Sequence, residues 1–568
     1  MHNMKIFLRF LKTLLVGAVL SAFISNVFSA QKRPNVIIVN LDDLGAGWLS
    51  PYTKNLKPSD MDEGALKLFL KNSGNKNFDV GECLKLVESG TPYIDSLASQ
   101  GVVFNRCYAS SNLCAPSRTG LMTGKYQQRW GVCDLASSIS KGVKNDNIPL
   151  LAENFKKAGY SCAAIGKWHV SRHNEGDFQA AVKRQKNSPK PKKQFSIVRG
   201  KKIPIDDPLE ADRRSAWASC AEGEWPTDLG YDYYFGYNLH DSRYYCAADL
   251  WENKSRVPQR PEGEFLTDLF ADKAAAYMEE CLKENKPFLL YFAPMTMHGR
   301  LDPAPEKYAV KSSMPQIAAH VEHMRSIDET VRRFFGLLKK YGEDKNTIFV
   351  LCADNGSPYI LPPSNAPYRG GKGQGWIGGS RVPLIICAPN AKPGYSNALA
   401  SLLDVFPTAM DFAEIPIPDG LDGESLKPVV LGQKTKTSRK NFYTDGLHAI
   451  TWYPNTDWGF VKMKTQDANR CPMFAFNISE ADKVYLAIST TKKGAYKHIS
   501  NEIPASLGLY DLNADCKQLS PLPGDSAEAL KMRDELNMWL KSMPYPHDTM
   551  LTKNKTHAYK ELLEITSK

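Results

Sequence analysis

Five stretches of this chain are nearly continuous runs of apolar and β-branched residues, and each is followed at once by polar or glycine-rich sequence. Runs that lack the alternation of a half-exposed strand predict strands buried on both faces, as in a parallel sheet. In chain order they are NVIIVNLDD (35–43), CAAIGKWH (162–169), FLLYFAPMTMH (288–298), TIFVLCADNG (347–356) and VPLIICAP (382–389).

Segments with the spacing of amphipathic helices separate these runs. They include TPYIDSLASQG, IPLLAENFKKAG, LTDLFADKAAAYMEECLKEN and VEHMRSIDETVRRFFGLLKKYG. The alternation of strand and helix predicts an α/β fold in which helices cover both faces of a central, mostly parallel sheet.

Two polar stretches, residues 50–90 and 172–225, interrupt this alternation. The second contains KRQKNSPKPKKQ and is predicted to be a long surface loop. Residues 183–202 within it hold nine Lys or Arg side chains. A run of this kind is either a solvated surface or a surface that gathers a polyanionic polymer, and both interpretations stay open at this point.

The pattern changes near residue 435. The segment FYTDGLHAITWYPNTDWGFVKMK predicts antiparallel strands, and SAEALKMRDELNMWLKSM predicts a helix. We therefore expect a main domain over residues 31–430 and a smaller α+β domain with an antiparallel sheet and a helical tail over residues 431–568.

The first thirty residues have the pattern of a secretory signal. Lys5, Arg9 and Lys12 precede the apolar run LLVGAVLSAFI, and NVFSA follows with the spacing of a signal-peptidase site. The run is too short for a membrane span. Residues 1–30 are thus predicted to be a signal peptide cleaved near residues 29–30, which predicts a periplasmic or secreted protein with no membrane anchor.

Charge and cysteine content add two expectations. The chain carries a formal net charge of +11, three charges of which lie in the signal, so the mature protein suits anionic ligands, and we expect no nucleic-acid partner. Twelve cysteines in an exported protein suggest one or two disulfides. However, Cys162, Cys352 and Cys387 lie in buried strand runs, where cysteine behaves as a small apolar residue.

The candidate chemistry lies where the predicted strands end. In α/β sheets, ligands bind beyond the carboxyl ends of the strands. The carboxylate and amide oxygens found there suit Ca²⁺ or Mg²⁺. The residues at these ends are Asp42, Asp43, Lys167, His169, His298, Asp354 and Asn355.

A further candidate is the stretch SSNLCAPSRTGLMTGKY. Pro116 disfavours helix at Ala115, which predicts that Cys114 lies in a turn and that Ser117 caps the helix that follows. Arg118 then places a permanent cation beside a helix N-terminus, a combination that favours an anion.

The sequence CAPSR matches the C-x-P-S-R signature of type I sulfatases, and other motifs follow in that family's order. They are NVIIVNLDDLG, TPYIDSLASQGVVFNRCYA, GKWH, PTDLGYDYYFGYN, FAPMTMH, ADNG, GGKG, SRVPLI, DGESL and LYDLNAD, between residues 35 and 515. The chain thus resembles the formylglycine-dependent sulfatases of the alkaline-phosphatase-like superfamily. The resemblance implies an alkaline-phosphatase-like sandwich, with residues 31–430 as its catalytic domain and a smaller C-terminal domain.

The resemblance also implies a chemistry. A maturation enzyme would oxidise Cys114 to formylglycine, whose hydrate is the family's nucleophile. Arg118 and Lys167 correspond to residues that hold the formylglycine, and His169 corresponds to the base that triggers sulfate release. His298 and Lys372 correspond to the sulfate-binding pair, with His298 as our choice of general acid. The implied ligands of one Ca²⁺ ion are Asp42, Asp43, Cys114, Asp354 and Asn355.

The chain departs from the family pattern at three positions. Lys125 replaces the usual arginine, Ile377 replaces the usual glutamate, and Gly299 follows His298 where Thr-Pro is commoner. The Ile377 change puts a supporting hydrogen bond in question, and Gly299 is expected to reshape the pocket.

The predicted function is an exported, Ca²⁺-dependent sulfatase that acts on a sulfated carbohydrate. Two alternatives stay open. The first is an arylsulfatase, or a phosphoester or phosphonate hydrolase, on the same scaffold. The second is an inactive sulfatase homologue that only binds glycans.

Overall fold

A computed structural model describes residues 32–63, 66–67, 69–70, 78–132, 141–143, 148–189, 194–299, 301–358, 361–447, 473–488 and 508–543. The predicted signal peptide, most of the stretch predicted as antiparallel strands after residue 447, and the predicted helical tail lie outside these residues.

Nineteen strands occur in the described residues. In chain order they are β1 Asn35–Leu41, β2 Val102–Phe104, β3 Cys107–Tyr108, β4 Ser161–Lys167, β5 Gln194–Val198, β6 Lys201–Ile205, β7 Tyr233–Tyr237, β8 Trp251–Glu252, β9 Ser255–Arg256, β10 Phe288–Ala293, β11 Thr347–Ala353, β12 Arg381–Val382, β13 Leu384–Cys387, β14 Gly394–Ser396, β15 Ala400–Ser401, β16 Asn441–Leu447, β17 Met473–Ser479, β18 Lys483–Ile488 and β19 Gly508–Asp511.

The α-helices of the described residues are α1 Ser50–Thr53, α2 Val80–Glu88, α3 Pro92–Ala98, α4 Cys114–Thr123, α5 Leu151–Lys157, α6 Glu175–Lys186, α7 Pro208–Trp217, α8 Leu266–Lys283, α9 Pro315–Lys340, α10 Val405–Phe412, α11 Lys427–Val430 and α12 Ala527–Ser542. Short 3₁₀ turns lie at Ala46–Trp48, Pro58–Asp60, Gln127–Trp130, Pro226–Asp228, Glu306–Tyr308, Ile377–Gly379 and Leu402–Asp404. No described helix is both long enough and apolar enough to cross a membrane.

The centre of the molecule is a ten-stranded sheet in the order β14-β2-β13-β11-β1-β10-β4-β7-β8-β9. Its middle strands, from β11 to β7, are all parallel, and β13 pairs antiparallel with β11. The predicted α/β fold with a mostly parallel sheet is confirmed. The direction of β13 is not evident from its sequence, because a doubly buried strand is apolar in either direction.

The five predicted strand runs form β1, β4, β10, β11 and β13, and nearly all of their residues are buried. Every residue of β1, β10 and β11 is buried. Helices α8 and α9 pack against each other, and α8 also packs on β4 and β10. Since β11, β1, β10 and β4 are neighbours, their carboxyl ends form one continuous edge.

The C-terminal part contains a separate four-stranded sheet in the order β16-β17-β18-β19, antiparallel throughout. Helix α12 packs on β17 and β18. Their apolar side chains form a second core, to which the main domain contributes Tyr108, Tyr126 and Leu403. The expected small antiparallel domain is therefore present and shares its core with the main domain.

The prediction that residues 172–225 form a long loop is wrong. The segment holds α6, a hairpin of β5 and β6, and α7. Asn174 caps α6 and Asp207 caps α7 through their side chains. The helices and the hairpin of this insertion bury few residues and expose mostly polar side chains. Its sequence therefore resembles that of a loop.

The expected disulfides are absent from the residues that the structure describes, where all ten cysteines are free. Eight of these are buried, including Cys162 and Cys352 in the central strands. Cys162 and Cys352 belong to the main hydrophobic core, an environment that suits cysteine as a small core residue.

Gly166 and Gly236 are a cross-strand pair at the ends of β4 and β7. A Cβ on Gly236 would lie 1.8 Å from the Gly166 carbonyl oxygen, so the two backbones approach more closely than a side chain allows. The next pair along, Lys167 and Tyr237, ends both strands, so this close approach lies directly beside Lys167.

Replacing Gly236 with alanine is therefore expected to lower the free energy of unfolding by about 1–3 kcal/mol. Thermal unfolding measures this effect. Gly336 in α9 is the matched control, because a Cβ there meets no atom within 4 Å. An equal loss of stability in Gly336→Ala would show that the close approach is not the cause.

Candidate active site

The four adjacent strand ends bring the predicted polar residues together. Asp42 and Asp43 follow β1, and Asp354 and Asn355 follow β11. Lys167 is the last residue of β4, with His169 two residues later, and the loop after β10 carries His298. Backbone hydrogen bonds join these ends: the Asp42 N–H donates to Thr296 O at 2.9 Å, and the Asp354 N–H donates to Leu41 O at 3.1 Å.

Helix α4 delivers Cys114 and Arg118 to this edge. The helix begins at Cys114, with Leu113 as its N-cap, so the predicted turn at Cys114 and the predicted cap at Ser117 are both wrong. Pro116 lies in the first turn, where a missing backbone N–H costs no helical hydrogen bond. Cys114, Ser117 and Arg118 are all fully buried.

Lys372 reaches the site from the glycine-rich loop after β11. The loop is fixed on both sides: the Lys372 N–H donates to Ser357 O at 3.0 Å, and the Gly373 N–H donates to Asn112 O at 3.2 Å. The Ser357 hydroxyl in turn donates to the Asp43 carbonyl at 2.8 Å. The loop is thereby tied both to the first strand end and to the segment before Cys114.

Three buried carboxylates are matched by three buried cations. Lys167 Nζ donates to Asp42 Oδ2 at 2.7 Å, and Lys372 Nζ donates to Asp43 Oδ1 at 2.6 Å. Arg118 Nε donates to Asp354 Oδ2 at 2.8 Å, and its Nη2 lies 3.5 Å from Asp42 Oδ1. The carboxylates are thus compensated by neighbouring cations even without a metal ion.

The Cys114 sulfur lies between a histidine and a lysine. His169 Nδ1 is 3.4 Å from Sγ, and Lys372 Nζ is 3.9 Å from it. Burial raises the pKa of the Cys114 thiol, an effect that the Lys167 and Lys372 ammonium groups oppose. Burial, reinforced by Lys167, lowers the pKa of His169 well below its usual range, which leaves a neutral imidazole beside the sulfur.

His298 faces the same pocket from the other side. Its Nε2 lies 3.8 Å from Asp43 Oδ2, and its side chain is 13% exposed. Burial and the Lys372 and Lys167 charges lower the pKa of His298 well below its usual range. A negatively charged ligand in the pocket would raise the pKa of His298.

Oxygen atoms without hydrogen-bond partners mark a place for a cation. Asp42 Oδ1 and Asn355 Oδ1 are buried and accept no hydrogen bond from the described residues. Ligand atoms of Asp42, Cys114 and Asp354 lie within 4.8 Å of one another, as do those of Asp42, Asp43 and His298. Hard oxygen donors of this kind fit Ca²⁺ or Mg²⁺.

All ten residues predicted from the sequence lie in one network of side-chain and backbone contacts no longer than 3.9 Å. The contacts that join them are those described above, with Asn355 Nδ2 donating to Asp43 Oδ1 at 2.8 Å and the Asp43 N–H donating to Asp354 Oδ1 at 3.1 Å. The structure therefore brings the whole predicted set together.

Sequence reasoning missed the residues that hold this set in place. Arg118 Nη1 donates to the Tyr291 hydroxyl at 3.2 Å, and Asn40 Nδ2 donates to the same oxygen at 2.9 Å. The signal available in the sequence was that Asn40 and Tyr291 are polar residues inside otherwise apolar runs. Lys167 Nζ also donates to the His240 carbonyl at 2.7 Å, and a backbone carbonyl has no sequence signal.

The structure shows the surroundings of two departures from the family pattern, although the Ile377 contact is made by its backbone and does not depend on its side chain. The Ile377 N–H donates to Gln518 Oε1 at 2.8 Å, which ties the Lys372 loop to the smaller domain. Gly299 has φ +73°, and a Cβ there would meet no atom within 4 Å. The pocket wall beside His298 is consequently open at this position.

A family model for sulfatases matches residues 34–415, well over half of the chain. The chain belongs to the sulfatase family. It is accordingly a sulfuric ester hydrolase of the alkaline-phosphatase-like superfamily, as the CAPSR and strand-end motifs predict. The alternative of a homologue that only binds glycans is not favoured.

Two curated sulfatases illustrate the similarity. The chain is 30% identical over 444 residues to the uncharacterized sulfatase YdeN of Escherichia coli K12, covering 76% of this chain and 72% of that one. It is 26% identical over 470 residues to the N-acetylgalactosamine-6-O-sulfatase of Bacteroides thetaiotaomicron, covering 76% and 83% of the two chains.

A solved structure shares the fold. The crystal structure of Ps i-CgsB in complex with k-i-k-neocarrahexaose matches with a TM-score of 0.62 and 19% identity. The match covers 94% of this chain and all of that one. The expected architecture, with a smaller antiparallel domain, is therefore shared with this solved structure.

Proposed function

We propose that this sulfatase hydrolyses sulfate esters of a carbohydrate, with a formylglycine formed from Cys114 as nucleophile and one bound Ca²⁺ ion. The observation that carries the proposal is the contact network of the ten residues around Cys114. A buried thiol with no catalytic role has no need of a histidine at 3.4 Å and a lysine at 3.9 Å.

The charges of the site support a cation. Asp42, Asp43 and Asp354 balance Arg118, Lys167 and Lys372, so the protein alone provides no net charge for an anion. A divalent ion would leave an excess of +2, which suits a sulfate group. Asp42, Asp43, Cys114, Asp354 and Asn355 would hold it, and the Asp42 and Asn355 oxygens that accept no hydrogen bond from the described residues fit that role.

When bound, Ca²⁺ would withdraw charge from the sulfate oxygens, and formylglycine would supply a geminal diol at position 114. The protein's own groups provide the proton transfers. His169 Nδ1, beside the Cys114 side chain, is positioned to remove a proton there. The net reaction consumes water and yields an alcohol and sulfate.

Two lysines are positioned to bind the sulfate. Lys167 Nζ uses two of its three hydrogens on Asp42 and the His240 carbonyl, which leaves one for a sulfate oxygen. Lys372 Nζ lies between Asp43 and Cys114. His298, across the pocket, would donate a proton to the departing oxygen of the alcohol.

The carbohydrate part of the proposal rests on the relatives. The B. thetaiotaomicron relative is named an N-acetylgalactosamine-6-O-sulfatase, and Ps i-CgsB was crystallised with k-i-k-neocarrahexaose. A panel of defined sulfated sugars, one aryl sulfate and one aryl phosphate tests it. Hydrolysis of at least one sugar sulfate with higher kcat/KM than the aryl esters is expected. Faster turnover of the aryl sulfate or phosphate would favour the open alternatives.

Two further parts of the proposal concern the export and the maturation of the protein. We propose that residues 1–30 direct export to the periplasm or the medium and that a formylglycine-generating enzyme modifies Cys114. The signal-like sequence and CAPSR support them.

Chelation is expected to lower activity strongly and stability moderately. Because the three carboxylates already have cationic partners, the chain should stay folded without the metal. The ion would still add about 2.7 kcal/mol at a free concentration one hundred times its dissociation constant. Turnover and melting temperature after exhaustive chelation measure both effects.

Readdition of Ca²⁺ should restore both quantities, while Mg²⁺, which demands stricter geometry, should restore less. Full activity in protein shown by elemental analysis to hold no metal would contradict the calcium proposal.

A further inference from the structure

The insertion between β4 and β7 carries an exposed apolar face. Strands β5 and β6 form a two-stranded sheet that pairs with no other described strand. Phe195, Ile197, Lys202 and Pro204 point outward from it and are here called the hairpin face. Phe195 is 48% exposed and Ile197 70% exposed, whereas Ile203 on the opposite face joins the main core.

The hairpin face combines apolar and basic groups in register. Phe195 lies opposite Pro204, and Ile197 lies opposite Lys202. Cross-strand neighbours of this kind form one continuous surface. An exposed patch of large apolar residues beside a cation is typical of a binding surface for a ligand that is itself part apolar and part anionic.

The hairpin is anchored to the rim of the active site. Arg199 Nη1 donates to Ala304 O, and Lys201 Nζ donates to Leu301 O, both at 3.0 Å. Leu301 is three residues after His298, which places it at most about 11 Å from His298 along the chain.

A second anchor joins the other end of the hairpin to the rim. Directly after β6, the Asp206 carboxylate accepts a hydrogen bond from Arg243 Nε at 2.9 Å. Arg243 is three residues after His240, whose carbonyl binds Lys167. The hairpin is thus fixed to two loops that both belong to the site.

The structure separates the basic residues of this insertion into two groups. Arg199 pairs with Glu322 at 2.6 Å, and Lys201 pairs with Asp302 at 3.4 Å, so their charges serve the anchors. Lys183, Lys186 and Lys202 are exposed and have no ion-pair partner in the described part of the chain. Among the basic residues of this insertion that the structure describes, this second group has no acidic partner and is available to an external anion.

We infer that the hairpin face binds a sulfated polysaccharide while one sulfate of the same chain occupies the active site. The inference rests on the proposed carbohydrate substrate. The Phe195 ring would lie against the apolar face of a sugar ring, and Lys202 would pair with a sulfate. Phe195 lies three residues before Val198 on β5, which is a distance of about 10 Å along the strand. Val198 is the cross-strand partner of the anchoring residue Lys201. A polymer of several sugar units is long enough to contact both places at once, so polymer binding and hydrolysis of a small monosulfated substrate are expected to respond differently to changes in the hairpin face.

The test uses the full-length enzyme and two probes. Retardation in gels that contain dextran sulfate gives a Kd for a sulfated polymer without turnover, with unsulfated dextran as blank. Hydrolysis of nitrocatechol sulfate reports on the catalytic site. The double variant Phe195→Ala/Ile197→Ala should raise the Kd about tenfold. Its kcat/KM for nitrocatechol sulfate should stay within about twofold of the parent value.

Three further variants sharpen the test. Phe195→Trp keeps an aromatic surface and should retain polymer affinity. Lys202→Gln should weaken binding at low salt, with a loss that shrinks as salt rises. Leu519→Ala removes a side chain that is 64% exposed on the smaller domain and should change nothing.

An unchanged Kd in the double variant, or equal losses in polymer binding and nitrocatechol sulfate hydrolysis, would overturn the inference. Absence of dextran sulfate binding by the parent enzyme would do so too. Failure of the proposed sulfatase chemistry would instead appear as absent hydrolysis in the parent enzyme, so the two failures are distinguishable.

Discussion

Replacing Cys114 with alanine is expected to abolish sulfate ester hydrolysis while the protein stays folded. The side chain at this position would carry the nucleophile, and loss of a nucleophile lowers turnover by at least about a thousandfold. The fold should survive because Cys114 is the first residue of α4 and alanine favours helix. Steady-state hydrolysis of a sugar sulfate and thermal unfolding measure the two effects.

Cys107 provides the matched control, since it is also fully buried and lies seven residues earlier on β3. Cys107→Ala should lose some stability through the cavity left behind but keep its activity. Near-normal turnover in Cys114→Ala, or an equal loss of turnover in Cys107→Ala, would show that Cys114 has no special role.

Replacing His298 with alanine is expected to affect substrates with poor leaving groups most. A sugar alkoxide is strongly basic and needs a proton as it departs, so loss of the general acid should lower kcat for a sugar sulfate by about 10²–10⁴-fold. A nitrocatechol leaving group is stable as an anion and should lose much less. The ratio of the two losses is the measured quantity.

His320 serves as the control for this variant. It is buried, stacks on Trp48 with ring centroids 4.7 Å apart, and belongs to no site contact described above. His320→Ala should lower stability and leave the ratio of the two activities unchanged. Equal losses on both substrates in His298→Ala would remove His298 from the role of general acid and leave it as a sulfate-binding residue.

The sequence predicts that several of these residues lie close together, because parallel strands end at a common edge. Asp42, Lys167, His298 and Asp354 each follow an apolar run, and in the sheet those four strands are neighbours. The glycine-rich segment with Lys372 was assigned through the resemblance. Its tie to Asp43 through Ser357 depends on loop geometry that no local pattern specifies.

Other features could not be predicted from the sequence, for physical reasons. In β6, Pro204 obscures the strand pattern, because proline cannot donate to a sheet hydrogen bond. Helix α6 buries only Ala181 and so has little apolar periodicity. The observed start of α4 differs from the prediction. Proline usually disfavours helix at the preceding residue, but Ala115 is helical in this first turn.

The aldehyde proposed at Cys114 can be detected directly by mass spectrometry. Tryptic cleavage after Arg106 and Arg118 releases a peptide, residues 107–118, that contains both Cys107 and Cys114. Fragment-ion mass spectrometry of this peptide from active enzyme should show an aldehyde at Cys114 and an unmodified thiol at Cys107. Two intact thiols in enzyme that fully retains sulfatase activity would show that the nucleophile is not a formylglycine at Cys114.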